Sequence, residues 1–234
     1  MAVNIIWSYW EGDPIPLLQK CYDSWVKAYP TWQINMLNKY TIQDYMSGNH
    51  DNLTPTFKSD IIRLYLLHKY GGMWLDATII VNKPFTDGVV DLTQYYGFHY
   101  HKKYIESWAL YSPTPGNENI RKWYDLLVGI SLKYPKYNTH PIYSSGVTLL
   151  TKPSKTPYFM IYDAYIYLLK QDPTFKGAVT LDNSMWGFYL FSFLKKRHLI
   201  KYTKTCRKIY DNILYIKLFI VLIIITCIVN KMYK

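Results

Sequence analysis

Four side chains in one short stretch have the types and spacing to handle a charged, hydroxyl-rich ligand: Asp60, Arg63, Trp74 and Asp76. Asp60 and Arg63 are three apart, so a helix puts them on one side. Trp74 and Asp76 are two apart, so a strand turns them to the same face. A carboxylate accepts hydrogen bonds from sugar or ribose hydroxyls, and a guanidinium donates in a fork to phosphate or sugar oxygens. An Asp can also help hold a divalent ion that neutralises a diphosphate leaving group. The same residues allow a plainer reading, a helix ion pair of small energetic value and a carboxylate that happens to end a strand.

Residues 59–84 supply the frame for these groups. Ser59 reads as a helix cap with Asp60 in the first turn, at the positive end of the dipole. Ile61, Ile62, Leu64, Tyr65, Leu67 and His68 follow at helical spacing, and Gly71-Gly72 stops the helix. Met73, Trp74 and Leu75 form an apolar run that ends in Asp76; Ile79, Ile80 and Val81 continue it, and Pro84 closes it. A buried strand therefore delivers one carboxylate to the edge of a sheet, where ligands of open α/β folds gather.

The rest of the chain alternates strands and helices. Residues 3–10 read as a first strand, followed by the breaker-rich turn EGDPIP. Trp10, at that strand's end, is placed either to stack on a nucleotide base or to fill the core. Residues 17–28 form an amphipathic helix, residues 32–37 a second strand with Asn38 at its end, residues 42–46 a short helix and residues 47–55 a polar loop. Residues 92–100 and 107–111 read as strands; His99 and His101 share one strand face, as metal ligands or as ordinary half-buried histidines. Helices are expected over 120–132 and 157–169. A turn leads into a buried segment over 140–151, with Gly146 at the close approach. A last strand begins near residue 179 and has a polar end.

With 234 residues, half of them hydrophobic, the chain can bury a core without staples. The division expected is one domain over 1–208 and a hydrophobic tail over 209–234. The tail is apolar enough to be a membrane anchor, with Lys217 snorkelling and the basic residues 201–208 keeping the main domain cytosolic. A buried terminal helix or strand is the other reading of it. The start of the chain lacks the basic and apolar regions of a signal peptide. Cys21, Cys206 and Cys227 show no metal spacing and no disulfide framework, which suits a reducing compartment. The formal charge of +11 comes from scattered lysines with no nucleic-acid motif, so a solvated basic surface is the expectation. The 25 Tyr and 8 Trp suit a sugar- or base-binding surface as well as a Tyr-rich core.

The run S-D-I-I-R-L-Y-L-L-H-K-Y-G-G-M-W-L-D-A-T resembles the sugar-binding region of D-x-D-type glycosyltransferases. That group comprises capsular polysaccharide synthesis proteins, related mannosyltransferases and glycosylating clostridial toxins. Residues 3–12, the Ser24-Trp25 to Trp32 segment, residues 143–151 and residues 182–186 agree in order, so the resemblance covers most of 3–190. It implies an α/β fold of the GT-A nucleotide-sugar-binding type: a mixed central sheet flanked by helices, here followed by a C-terminal hydrophobic helix. It implies transfer of a hexose from a nucleoside diphosphate sugar to a hydroxyl of a glycan acceptor, with retention. Asp60 and Arg63 would hold the donor sugar; Asp76 would contact ribose, sugar and metal; Trp10 would stack on the base; Ser184 and Trp186 would touch the diphosphate. Asn38 and Trp74 complete the donor-side candidates. The second carboxylate of D-x-D is Thr78 here, which weakens the expected Mn²⁺ or Mg²⁺ site at Asp76 and Thr78. The alternative is a membrane-tethered glycan- or nucleotide-sugar-binding protein that has lost turnover.

Overall fold

The computed structural model describes residues 1–48, 51–86, 89–100, 104–153, 156–183 and 199–201. A six-stranded sheet runs in the order β2-β1-β3-β6-β5-β7. Its strands are β1 (Ile5–Tyr9), β2 (Gln33–Leu37), β3 (Gly72–Leu75), β5 (Tyr96–Tyr100), β6 (Tyr104–Ser112) and β7 (Val179–Asn183). β1 is parallel to β2 and to β3, β6 is antiparallel to β3 and β5, and β5 is parallel to β7. The sheet is mixed, as expected. β4 (Ile79–Val81) and β8 (Leu199–Lys201) form a separate two-stranded ribbon.

Helices cover both faces. α1 (Pro16–Ala28) buries Leu17, Cys21 and Trp25 with Met73 and Leu75 of the central β3 and Ile79 of β4. The Trp25 indole donates to the Ile79 carbonyl at 2.8 Å, which satisfies its one polar atom inside that layer. On the opposite face α2 (Pro55–Tyr70), α3 (Glu118–Ser131) and α4 (Met160–Gln171) share a core with Trp7, Trp74 and Leu110. Period-2 alternation explains this split: Trp7 and Trp74 point to one side, Ile6 and Met73 to the other.

α2 is the central helix. It starts one turn earlier than its sequence suggested: Thr54 is the cap, its hydroxyl accepting from the Phe57 amide at 3.3 Å, and Pro55 occupies the first turn. Ser59 is therefore not a cap and Asp60 lies in the second turn. The helix buries residues on most of its circumference, Lys58, Asp60 and Arg63 among them, so its polar residues have to be satisfied by protein partners or by ligand.

Gly71 (φ 68°) and Gly72 (φ 90°) turn α2 directly into β3. A Cβ on Gly72 would sit 2.6 Å from the Ile5 carbonyl oxygen, inside the β1–β3 pairing. Gly72→Ala combines that backbone clash with a left-handed φ, and is expected to cost about 2–4 kcal/mol. The urea midpoint measures it.

Three further readings are corrected. Residues 42–46 form only a 3₁₀ turn, at Thr41–Asp44. The segment expected to be buried over 140–151 is half-buried or exposed over 146–151: the buried Asp163 of α4 accepts from the Leu150 amide at 2.9 Å and from the Thr151 hydroxyl at 2.6 Å, so a side chain holds its end. The helix expected over 157–169 opens with a 3₁₀ turn at Pro157–Phe159 before α4 begins. Ser184, Trp186, His101 and the tail with its expected hydrophobic helix and membrane anchor lie outside the described residues. Among the described residues no helix is long and apolar enough to cross a membrane.

Candidate active site

β1, β2 and β3 are parallel neighbours in the sheet, and α2 packs against β1 and β3. Asp76 is the first residue past β3. Its amide donates to the Trp108 carbonyl of β6 at 2.9 Å, which fixes where the side chain leaves the sheet. The Trp74 indole donates to Asp76 Oδ1 at 2.9 Å, and Arg63 Nη2 donates to the same oxygen at 3.1 Å. Arg63 Nη2 also lies 3.0 Å from Asp60 Oδ1. The guanidinium stands over the Trp74 ring, 5.1 Å from its centroid, at cation–π distance. Asp60, Arg63, Trp74 and Asp76 thus form one constellation.

Burial makes it more than a surface pair. Asp60 is 3% exposed and Arg63 4%, while the Asp76 side chain is 23% exposed. Burial pulls the Arg63 pKa down, but Asp76 and then Asp60 outweigh it and hold it above the ordinary arginine value. Arg63 is charged at any working pH. Among the described residues its Nε and Nη1 are buried without a hydrogen-bond partner, so these two donor nitrogens stand unused there, at a cost of about 1–3 kcal/mol each.

Residues 1–171 match the family described as capsular polysaccharide synthesis protein. The chain belongs to this family. A solved structure titled "PaToxG Glycosyltransferase" is similar at 14% identity over 74% of this chain and 70% of that one, with a TM-score of 0.48; that likeness is too slight to carry an argument. No curated protein matches the chain.

In this capsular polysaccharide synthesis family member two of the other expected site residues, Trp10 and Asn38, bond to backbone close by in the chain. The indole of Trp10 donates to the Asp13 carbonyl at 3.1 Å and is partly exposed, whereas Trp7 is core. Asn38 Oδ1 accepts from the Tyr40 and Thr41 amides at 2.8 and 3.1 Å, so its oxygen caps a turn. Thr78 is 7% exposed. Among the described residues no three His, Cys, Asp or Glu side chains gather as a metal set. Asp76 and Thr78 alone supply too few oxygens to cage a divalent ion.

Two polar groupings escaped the sequence reading. Glu106 and Ser107 of β6 are buried, and the Tyr162 hydroxyl of α4 lies 3.4 Å from Glu106 Oε2 and 3.1 Å from Ser107 Oγ. Lys58, also buried, lies 3.2 Å from both Glu11 Oε2 and Asp51 Oδ1, and the Tyr9 hydroxyl donates to Glu11 at 2.7 Å. Each includes a contact between residues at least 47 positions apart along the chain, Lys58 with Glu11 and Tyr162 with Glu106, which no local pattern announces.

Proposed function

We propose that the chain is a glycosyltransferase of the GT-A type that moves a hexose from a nucleoside diphosphate sugar to a hydroxyl of a growing glycan, with retention. One observation carries this reading: a buried, permanently charged Arg63 held by two carboxylates at the carboxyl end of the parallel strands, with unused donors and one partly exposed carboxylate. Family membership supports it.

In this reading Asp76 accepts hydrogen bonds from sugar and ribose hydroxyls, and Asp60 acts through Arg63 by holding the guanidinium in place. Arg63 donates to donor oxygens in a water-poor setting, where a fixed charge is worth most. The acceptor hydroxyl oxygen bonds to the anomeric carbon as the bond to the diphosphate oxygen breaks. The electron pair leaves with the diphosphate, and the hydroxyl proton passes to that departing oxygen. An Mn²⁺ or Mg²⁺ ion arriving with the donor would be held by Asp76 and Thr78 and would neutralise charge on the leaving group.

Hydrolysis of a panel of nucleoside diphosphate sugars, with Mn²⁺ and with chelator, tests the reading. At least one donor is expected to turn over, and silence across the panel overturns it. A second reading, binding of glycan or donor without turnover, is favoured by the hydroxyl at position 78 where D-x-D carries a carboxylate. Calorimetry separates the two: glycan binding without any donor hydrolysis selects the second.

A further inference from the structure

The Glu106 grouping reaches the Arg63 site through aromatic rings. On β6, Ser107 and Glu106 adjoin Trp108, whose carbonyl accepts from the Asp76 amide at 2.9 Å. The Tyr162 hydroxyl accepts from Ser107 Oγ at 3.1 Å and donates to Glu106 Oε2 at 3.4 Å, which ties that ring to β6. Phe159 packs on Tyr162 with ring centroids 6.2 Å apart, and Tyr158 meets Phe159 nearly at right angles with centroids 5.0 Å apart. The Arg63 guanidinium interacts electrostatically with both the Tyr162 and the Tyr158 phenol. Three rings thus lead from the buried wall of the site to its rim.

Tyr158 ends that row in water. It is 51% exposed, against 7% for Tyr162. Among the described residues the other exposed aromatic is Tyr40, and Lys39 Nζ stands over that ring, 4.8 Å from its centroid. Tyr158 is also firmly mounted. Pro157 opens its 3₁₀ turn, the Thr156 hydroxyl accepts from the Tyr158 amide at 3.2 Å, and the turn packs against α2. A ring ordered in advance gives up little freedom when a ligand covers it. Its face is the negative side of the ring quadrupole, and its hydroxyl end is at home in water. The C–H face of a pyranose is apolar and weakly positive, and its hydroxyls point outward to solvent, so the two surfaces match.

The donor reading above occupies Asp76 and Arg63. In the strand order β1-β3-β6, Tyr162 is tied to β6, on the side of Asp76 away from β1. We propose that Tyr158 is the platform for the acceptor: a pyranose ring of the acceptor stacks on it, and that stacking sets how well an acceptor sugar competes with water for the donor. The proposal rests on the donor reading and deepens it.

The test uses the full chain, the nucleoside diphosphate hexose that the wild type hydrolyses best, and methyl gluco-, galacto- and mannopyranoside as acceptors. The ratio of transfer to hydrolysis and the acceptor KM are measured. Tyr158→Ala is expected to lower the ratio about tenfold, through a raised acceptor KM rather than a lowered kcat. Tyr158→Phe, which keeps the ring, is expected to stay within about twofold of the wild type. Half of Tyr158 is already in water, so the fold tolerates both changes. An unchanged ratio in Tyr158→Ala, or an equal loss in Tyr158→Phe, overturns the platform. So does a wild type that hydrolyses the donor and transfers to none of these glycosides. Each of those results leaves the donor reading standing, whereas a wild type that neither hydrolyses nor transfers overturns both.

Discussion

Asp76→Asn is expected to lower donor hydrolysis and transfer by about 10²–10³-fold, the loss typical of removing one preorganised electrostatic contact. Asp76 is the member of the constellation that reaches the surface, with its side chain 23% exposed against 3–4% for Asp60 and Arg63. It is therefore the carboxylate a donor meets first. Asparagine keeps the shape and an oxygen for the Trp74 indole, but removes the charge that Arg63 answers. Arg63 keeps Asp60, so the buried cation is not stranded. The stability loss should stay near 1 kcal/mol, which lowers Tm by about 2–4 °C for a chain of this size. Kinetics and a thermal melt on the same preparation check both halves. Undiminished turnover in the variant would remove Asp76 from the site.

The frame of this site was legible because its signals are local. Asp60 and Arg63 at helical spacing, two glycines, and Trp74 and Asp76 at strand spacing each concern residues within a turn or a strand of one another, and the structure joins them. The helix start was misplaced although Thr54-Pro55 carries its own cap signal, a hydroxyl residue followed by proline; Ser59-Asp60 offered a competing one inside the helix. Residues 146–151 read as part of a buried segment by their apolar content, but they are half-buried or exposed, and the Leu150 and Thr151 amides are taken by Asp163, thirteen and twelve residues further along. Lys58 was invisible for the opposite reason. Lysine is usually solvated, and only the convergence of β1 and α2 on Glu11 buries it.

Arg63→Met separates what this cluster does for folding from what it does for chemistry. Removing the cation takes from the buried Asp60 the guanidinium that lies 3.0 Å from it. Breaking a buried pair from one side costs about 3–5 kcal/mol, so Tm is expected to fall by about 6–20 °C. Part of the cost is offset because the two orphaned guanidinium donors also disappear, which places the expected value toward the lower end. The double variant Asp60→Leu/Arg63→Met replaces both buried charges with apolar volume. It is expected to recover at least half of the lost stability, since two neighbours in contact couple non-additively. Activity should not return with it, because the Arg63 guanidinium beside Asp76 is gone. Urea melts and donor hydrolysis across the four-member cycle read out the two effects. If the double variant stays as unstable as Arg63→Met, the pair is not what makes the single change costly; if it regains turnover along with stability, Arg63 is a structural residue and the site lies elsewhere.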